Sequence, residues 1–470
     1  MNTARTSWHQ RIVRAMLTFM VSIILAEMVA PVTWGDPRFV SPSGTHQPPF
    51  DSWYTAATNI ASAVAISTDG DAIVVDDGIY VIADTLVITN HLTLQSVRGP
   101  EYTIIDGGGL YRCLRLAHPG SIIEGFTIQN GYTSDGFSGA GVLSETGGII
   151  RLCRIVNNTL EGGGGGGGIF LGIGGVLENS IVTSNVALGS YYGGGGVAME
   201  FGGTVQNCII THNVSYSPGT GGGGGLVCWE GGIVRSCVIS FNTNYSGEAY
   251  GGGGICVVNT GKDTQPILIE NCTIIQNEAR GWTPGDGGRG GGVMNWGPCI
   301  ILNTIVYSNL ATVASFNNWY YSHEASDFIH SCIYPAPDGG INVITNNPLL
   351  DWPHYRLRAS SPCINAGSNA VWMTSSTDVD GQPRIFDSFV DIGAKELSLF
   401  AKSMDKASEQ ICHTWEVPID AVFQVQSSPD LLNSIWNNVG SQFTAETYSV
   451  VFCMPDETNS LMYRLNWILW

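Results

Sequence analysis

Residues 160–187 read LEGGGGGGGIFLGIGGVLENSIVTSNVA, and residues 188–215 repeat the pattern as LGSYYGGGGVAMEFGGTVQNCIITHNVS. A third copy, YSPGTGGGGGLVCWEGGIVRSCVISFNTN (216–244), and the start of a fourth, YSGEAYGGGGICVVN (245–259), follow without a break. Asparagines close successive units at Asn158, Asn185, Asn213, Asn242, Asn277 and Asn309, at spacings of 27, 28, 29, 35 and 32. A second column runs Phe126, Cys153, Ser180, Cys208, Cys237, Cys272, Thr304, Cys332. Fixed-period self-similarity of this size marks a solenoid or a propeller.

Each unit holds three short apolar runs separated by turn residues; in the unit from Gly193 these are VAM, TVQ and CIIT. Such Val- and Ile-rich runs without a helical period are strands. A propeller blade would need four strands and roughly 40 residues or more, so the repeats predict a parallel β-helix of three strands per coil. Alternation sends Val197 and Met199, Leu226 and Cys228, and Ile255 and Val257 inward, with Cys208, Ile210, Cys237 and Ile239 on the last strand. Asn179, Asn207, Asn271 and Asn303 precede that strand, where a tight turn uses the left-handed region and stacked carboxamides hydrogen-bond along the axis. The glycine runs then read as the corner of each coil, where backbones approach closely or φ is positive.

Composition narrows the functions. Of 470 residues, 20 are Lys or Arg and 39 Asp or Glu, a net charge of -19 that repels nucleic acid and anionic membranes. The charged fraction is 13%, about half the usual globular share. Residues 1–35 carry Arg5, Arg11 and Arg14 before an apolar stretch, Ala15 to Ala30, with small residues at Thr33 and Gly35. That is the pattern of a signal peptide, with an uncleaved anchor as the other reading. The expected mature chain is an exported or surface-tethered monomer with no transmembrane segment. Residues 36–396 form the β-helix, with an N-terminal cap over 36–70 that includes an amphipathic helix from Trp53 to Ser67, and a closing segment over 351–396. Residues 397–470 form a small β module.

Twelve cysteines in an exported chain would ordinarily suggest disulfides. Cys208, Cys237 and Cys272, however, stack one coil apart at the strand spacing of about 4.8 Å, which aims their thiols in parallel and suits packing. No CxxC occurs, and no metal site is expected. Cys412 and Cys453 are the best disulfide pair.

The strand after each glycine run has an apolar outer face, with Leu143, Phe170, Ala198, Val227, Cys256 and Met294 where solvent is expected. Aromatic residues sit just before the glycines: Tyr132, Tyr191, Tyr192, Tyr216, Tyr245, Tyr250 and Trp282. With Trp229 at the far strand end, these rings either stack on sugars or fold back as cover. Glu200 and Glu230 lie near one strand end on adjacent coils. A carboxylate pair about 5 Å apart suits a retaining glycosidase, and mutual repulsion raises one pKa as an acid requires. Two solvated turn carboxylates are the alternative. A lyase would need a base and Ca²⁺ to neutralise a uronate, and Arg280, Asp286 and Arg289 in the longest loop are its best material. No dense Asp cluster holds such an ion, and the DxDG of Asp378 to Gly381 reads as a turn.

RFVSPSGTHQPPFDSWYTAATNIASAVAISTDGDAIVVDDGIYVI (38–82) resembles the opening of secreted right-handed β-helix proteins of the pectate-lyase-like superfamily. SPCINAGS (361–368), DVDGQPR (378–384) and DIGAKE (391–396) resemble the choice-of-anchor segment that closes such helices, with Asn365 in place of the usual acid and Lys395 of the usual aromatic. The resemblance implies a right-handed helix and a polysaccharide-associated role, as lyase, hydrolase or binder of a cell-surface glycan. A second resemblance competes with it. The glycine runs and the asparagine-closed repeats resemble polymorphic outer-membrane adhesins, although the chain has no C-terminal stretch long enough for their barrel. That implies a non-catalytic surface protein.

Overall fold

The computed structural model describes residue 35 and residues 37–469, apart from 190–192, 218–221, 247–250, 259–264, 282–287, 322–326, 387, 398–399, 408–409, 429–435 and 456–461. The chain winds into a parallel β-helix of about eight coils. A full coil makes four strands, one more than the repeats suggested. In one coil these are Val197–Glu200, Thr204–Gln206, Ile209–Thr211 and Val214–Ser217, and they belong to sheets of nine, eleven, ten and seven parallel strands. We call these sheets 1 to 4 in that order. The fourth strand follows the closing asparagine, where apolar residues are few; main-chain pairing such as Val214 with Thr243 and Tyr216 with Tyr245 defines it.

Alternation places the core as read. Val197, Met199, Leu226, Cys228, Ile255, Val257, Cys208, Ile210, Cys237 and Ile239 are all fully buried in one continuous cluster. The sulfur column holds as far as Thr304, but Ser331 takes the next position and Cys332 pairs with Ile305. Its thiols are unpaired and buried, their Sγ atoms donating to main-chain carbonyls such as Gln206 (3.1 Å) and Arg235 (3.0 Å). Burial pushes the Cys153 thiol up to about 11, which removes it from nucleophilic or metal-binding chemistry.

Inside the corner between sheets 3 and 4 runs a second column, and it explains the glycines. Asn158, Asn185, Asn213, Asn242, Asn277 and Asn309 are buried, and each Nδ2 donates to the next Oδ1 at 2.9–3.1 Å, ending on Asn318. Each Oδ1 after the first also accepts the preceding asparagine's main-chain N–H, at 2.9–3.0 Å. The last glycine of each run lies against this ladder. A Cβ at Gly168, Gly196, Gly225, Gly254 or Gly292 would stand 2.7–2.9 Å from a ladder Nδ2. A Cβ at the glycine before it would meet backbone oxygen, as Gly224 would meet that of Gly253 at 2.3 Å. No side chain fits there. The Asn179, Asn207, Asn271 and Asn303 turns do adopt positive φ, from 48 to 51°, but their carboxamides touch only at 3.4 Å, so the strong stacking belongs to the other column.

At the N-terminal end the helix spans only Ile60–Ile66, shorter than the Trp53–Ser67 pattern. The carbonyls of residues 54–56 instead accept from the N–H groups of Thr45, His46 and Gln47, and Asn59 caps the helix by accepting from the Ser62 N–H at 2.8 Å. At the other end, residues 400–469 form two three-stranded antiparallel sheets around Trp415, Phe423, Val425 and Leu465, with Cys412 and Cys453 disulfide-bonded.

Candidate functional site

The outer face of sheet 1 is closed over the middle coils. Ala198, Val227, Cys256, Val258 and Met294 are at most 7% exposed, and Phe170, Trp229, Trp296 and Tyr320 pack on them. The glycine runs themselves double back as cover. Cβ positions at Gly165 and Gly194 lie 3.3 Å from Ala198 Cβ and 2.9 Å from Val227 Cγ1, while those at Gly223 and Gly252 approach the Cys256 nitrogen. Gly222–Gly223 and Gly251–Gly252 even pair as short parallel strands across this face. Only glycine lets main chain lie that close to a sheet. Trp229 is therefore part of the cover.

Glu200 ends its strand in register with Trp229, and Glu230 lies one position further, where the preceding coil has Phe201. Phe201 and Glu230 share a left-handed conformation, with φ of 51° and 50°. The two acids are thus diagonal neighbours rather than facing partners. Partial burial raises the Glu200 carboxyl above the usual range, and the Glu230 charge adds to it.

Of the aromatic candidates, Tyr216 and Tyr245 lie on the outward side of sheet 4 rather than in loops. Their rings stack at 4.7 Å and 3° from parallel. Arg280 continues the column in register with Tyr245, its Nη1 donating to the Tyr245 hydroxyl at 3.0 Å and its Nη2 pairing with Glu278 at 2.7 Å. Leu188 precedes Tyr216 in the same register, and both are 37% exposed. Arg289 is separate: its Nη1 donates to the Tyr320 hydroxyl at 2.8 Å, and its guanidinium lies over the Tyr320 and Phe316 rings. Tyr191, Tyr192, Tyr250, Trp282 and Asp286 lie outside the described residues. Among the described residues no group of three His, Cys, Asp or Glu is placed to hold a metal ion. Asp378 instead accepts from the Asp380 and Gln382 N–H groups, forming a turn.

Two polar sites escaped the sequence reading. One is an open cleft of about 620 Å³ where sheet 4 begins, lined by Val81, Asp106, Asn130, Tyr132, Asn157 and Thr159 among others. Its signals are Tyr132, read among the aromatic candidates, and IIDGGGLYR (104–112), a glycine trio outside the repeat register. The other is the ionic centre of the closing segment. Arg384 is fully buried and pairs with Glu396 at 3.1 Å, while Lys395 and Arg356 both reach Asp380, at 3.0 and 2.7 Å. Arg356 also meets Glu416 of the C-terminal module at 3.7 Å. Burial pushes Glu396 up to about 9 and Asp391 up to about 6; Arg384 pulls both down without cancelling that effect.

Set against known proteins, the sequence matches no family model and no curated protein. Among solved structures, pectate lyase Pel9A aligns at 14% identity and a TM-score of 0.45, over 78% of this chain and 97% of that one. A pectin methylesterase from Aspergillus niger aligns at 12% identity and a TM-score of 0.27, over 65% and 84%. Scores of this size assign neither chemistry to this chain, whose fold rests on its own strand registers.

Proposed function

We propose that the chain is an exported β-helical rod that binds extracellular polysaccharide without cleaving it. The observation that supports binding is the Leu188, Tyr216, Tyr245 and Arg280 column on the outside of sheet 4. Stacking takes up the inner ring faces, so a glycan would meet ring edges, hydroxyls and a guanidinium along the axis, with one apolar step at Leu188. That surface suits weak, repeated contacts with a polymer. The covered outer face of sheet 1 favours a non-catalytic role, because Trp229, Trp296 and Tyr320 pack over the sheet whose strand end carries Glu200. Export rests on residues 1–35, whose pattern is that of a signal peptide; among the described residues no helix is long and apolar enough to cross a membrane.

The raised pKa of Glu200 favours a second reading, a glycoside hydrolase with Glu200 as acid and Glu230 as its partner. Lyase chemistry has less support, since among the described residues no group of three acids, histidines or cysteines is placed to hold a Ca²⁺ ion. Glycan-array binding by the purified chain and by a Tyr216→Ala/Tyr245→Ala variant tests the first reading. Retention on a polysaccharide that falls several-fold in the variant supports it. Absence of binding across neutral and acidic polysaccharides removes it in favour of a protein-facing surface role.

A further inference from the structure

We infer that the cleft where sheet 4 begins is a subsite for a neutral sugar residue. The inference rests on the carbohydrate reading above, but it names a different place and a substrate class. Sheet 4 starts with Tyr132–Thr133; the coil before it passes through Gly107 to Arg112 without adding a strand there. That missing strand opens the corner. Gly108 and Gly109 turn it with φ of 63° and 71°, and a Cβ on Gly109 would meet nothing within 4 Å. These glycines are therefore needed for their conformation and not for packing, the reverse of the ladder glycines.

The lining is ordered from within. Asp106 accepts from Gln129 Nε2 at 2.8 Å, from Asn130 Nδ2 at 2.9 and 3.1 Å, and from the Gly108 N–H at 2.8 Å. Its charge is thus met by the protein, and its role is to position Asn130. Asn130 and Asn157 repeat on adjacent coils with φ of 52° and 56°, which sets two carboxamides at about the 4.8 Å coil spacing. Thr159 adds a hydroxyl. Tyr132, whose hydroxyl donates to Glu161, adds a ring edge, and Val81 is an apolar wall 69% exposed. No Lys or Arg lines the cleft. Fixed neutral donors and acceptors around one small apolar patch, in a volume within the usual range for small ligands, match a hydroxyl-rich ring. A uronate carboxylate would find no cation here and a chain of charge -19.

The test titrates the full chain with cello-, xylo-, manno-, galacto- and galacturono-oligosaccharides by calorimetry. Asn157→Gly keeps the left-handed turn while removing the carboxamide, and Thr159→Val removes the hydroxyl at constant shape. Saturable binding of one neutral series, weakened about tenfold or more in the double variant and unchanged in Tyr216→Ala/Tyr245→Ala, is the expected result. Thermal unfolding of the double variant close to wild type would show that the fold is kept. Tighter binding of the galacturono-series, binding indifferent to both cleft substitutions, or no binding of any neutral series would overturn the inference. Polymer retention that falls in the tyrosine variant, with no short neutral sugar bound by the full chain, would overturn it while leaving the proposed function standing. Cleft binding of short sugars without polymer retention would do the opposite.

Discussion

Glycine turns the coil in two ways along this chain. Where the repeats enter sheet 1, from Gly168 to Gly292, the last two glycines of each run are shut in: an added Cβ would strike the asparagine ladder or the next coil at 2.9 Å or less. At Gly108 and Gly109, where the chain leaves sheet 3, the turn is open, and an added Cβ would meet nothing nearer than Val81 Cγ1 at 3.9 Å. A run of glycine therefore has two opposite meanings in one chain. In the first region it permits contact between backbones and buried carboxamides, and in the second it permits a turn beside solvent. Glycine's entropic cost on folding is the same in both. What offsets it differs: the buried carboxamide ladder in one, and the bonds from the Gly108 and Gly109 N–H groups to Asp106 and the Asn130 carbonyl in the other.

The contrast is sharpest at the ladder. Asn242→Leu would remove partners from the Asn213 N–H and Nδ2, the Ile210 carbonyl and the Asn277 Oδ1, all in a dry interior. Buried unsatisfied groups cost about 1–3 kcal/mol each, so a loss of roughly 4 kcal/mol or more is expected in denaturant unfolding. Gly224→Ala forces backbone apart on both sides, toward Gly253 and Thr243, and should cost about 2–3 kcal/mol. The equivalent change in the open region, Gly109→Ala, meets no atom and carries only the left-handed penalty of about 1 kcal/mol. If Gly109→Ala proved the costlier of the two, the distinction between packed and open corners would be wrong.

Buried polar groups also divide by charge. The ladder is neutral, so its contribution should not vary with pH. The closing segment is ionic, and the folded state raises the pKa of Asp391 to about 6 and of Glu396 to about 9. A raised carboxyl pKa means that the native state holds a proton that the unfolded chain would release. The stability this contributes is complete below about pH 4, the unfolded range. It is lost as pH rises through about 6 and then about 9. The unfolding temperature should accordingly fall from pH 5 to pH 9, and Glu396→Gln should flatten the upper part of that slope. A flat profile in the wild type would contradict the burial of these acids.

Much of this was legible in the chain. The repeat period, the inward alternation and the cysteine column are carried by residue type and spacing, because every second strand position faces the interior. The fourth strand was not legible, since Ser215, Tyr216, Asn244 and Tyr245 carry no apolar alternation and join by main-chain bonds. The asparagines were visible as unit markers, but which column bonds along the axis depends on where each corner turns, which spacing does not specify. The cleft was hidden for a related reason: its residues come from four successive coils and share no motif. Arg384 and Glu396 fell in the closing-segment resemblance, yet nothing in DVDGQPR or DIGAKE tells that their side chains meet inside.

The proposed function, glycan binding without cleavage, leans on the covered outer face of sheet 1. The direct measurement is release of reducing ends and of 235-nm absorbance from neutral and acidic polysaccharides. It would be run with and without Ca²⁺, for the wild type and for Glu200→Gln/Glu230→Gln. The account expects retention without release, the same in both proteins. Release by the wild type that disappears in the double variant would contradict it and identify Glu200 and Glu230 as the catalytic acids.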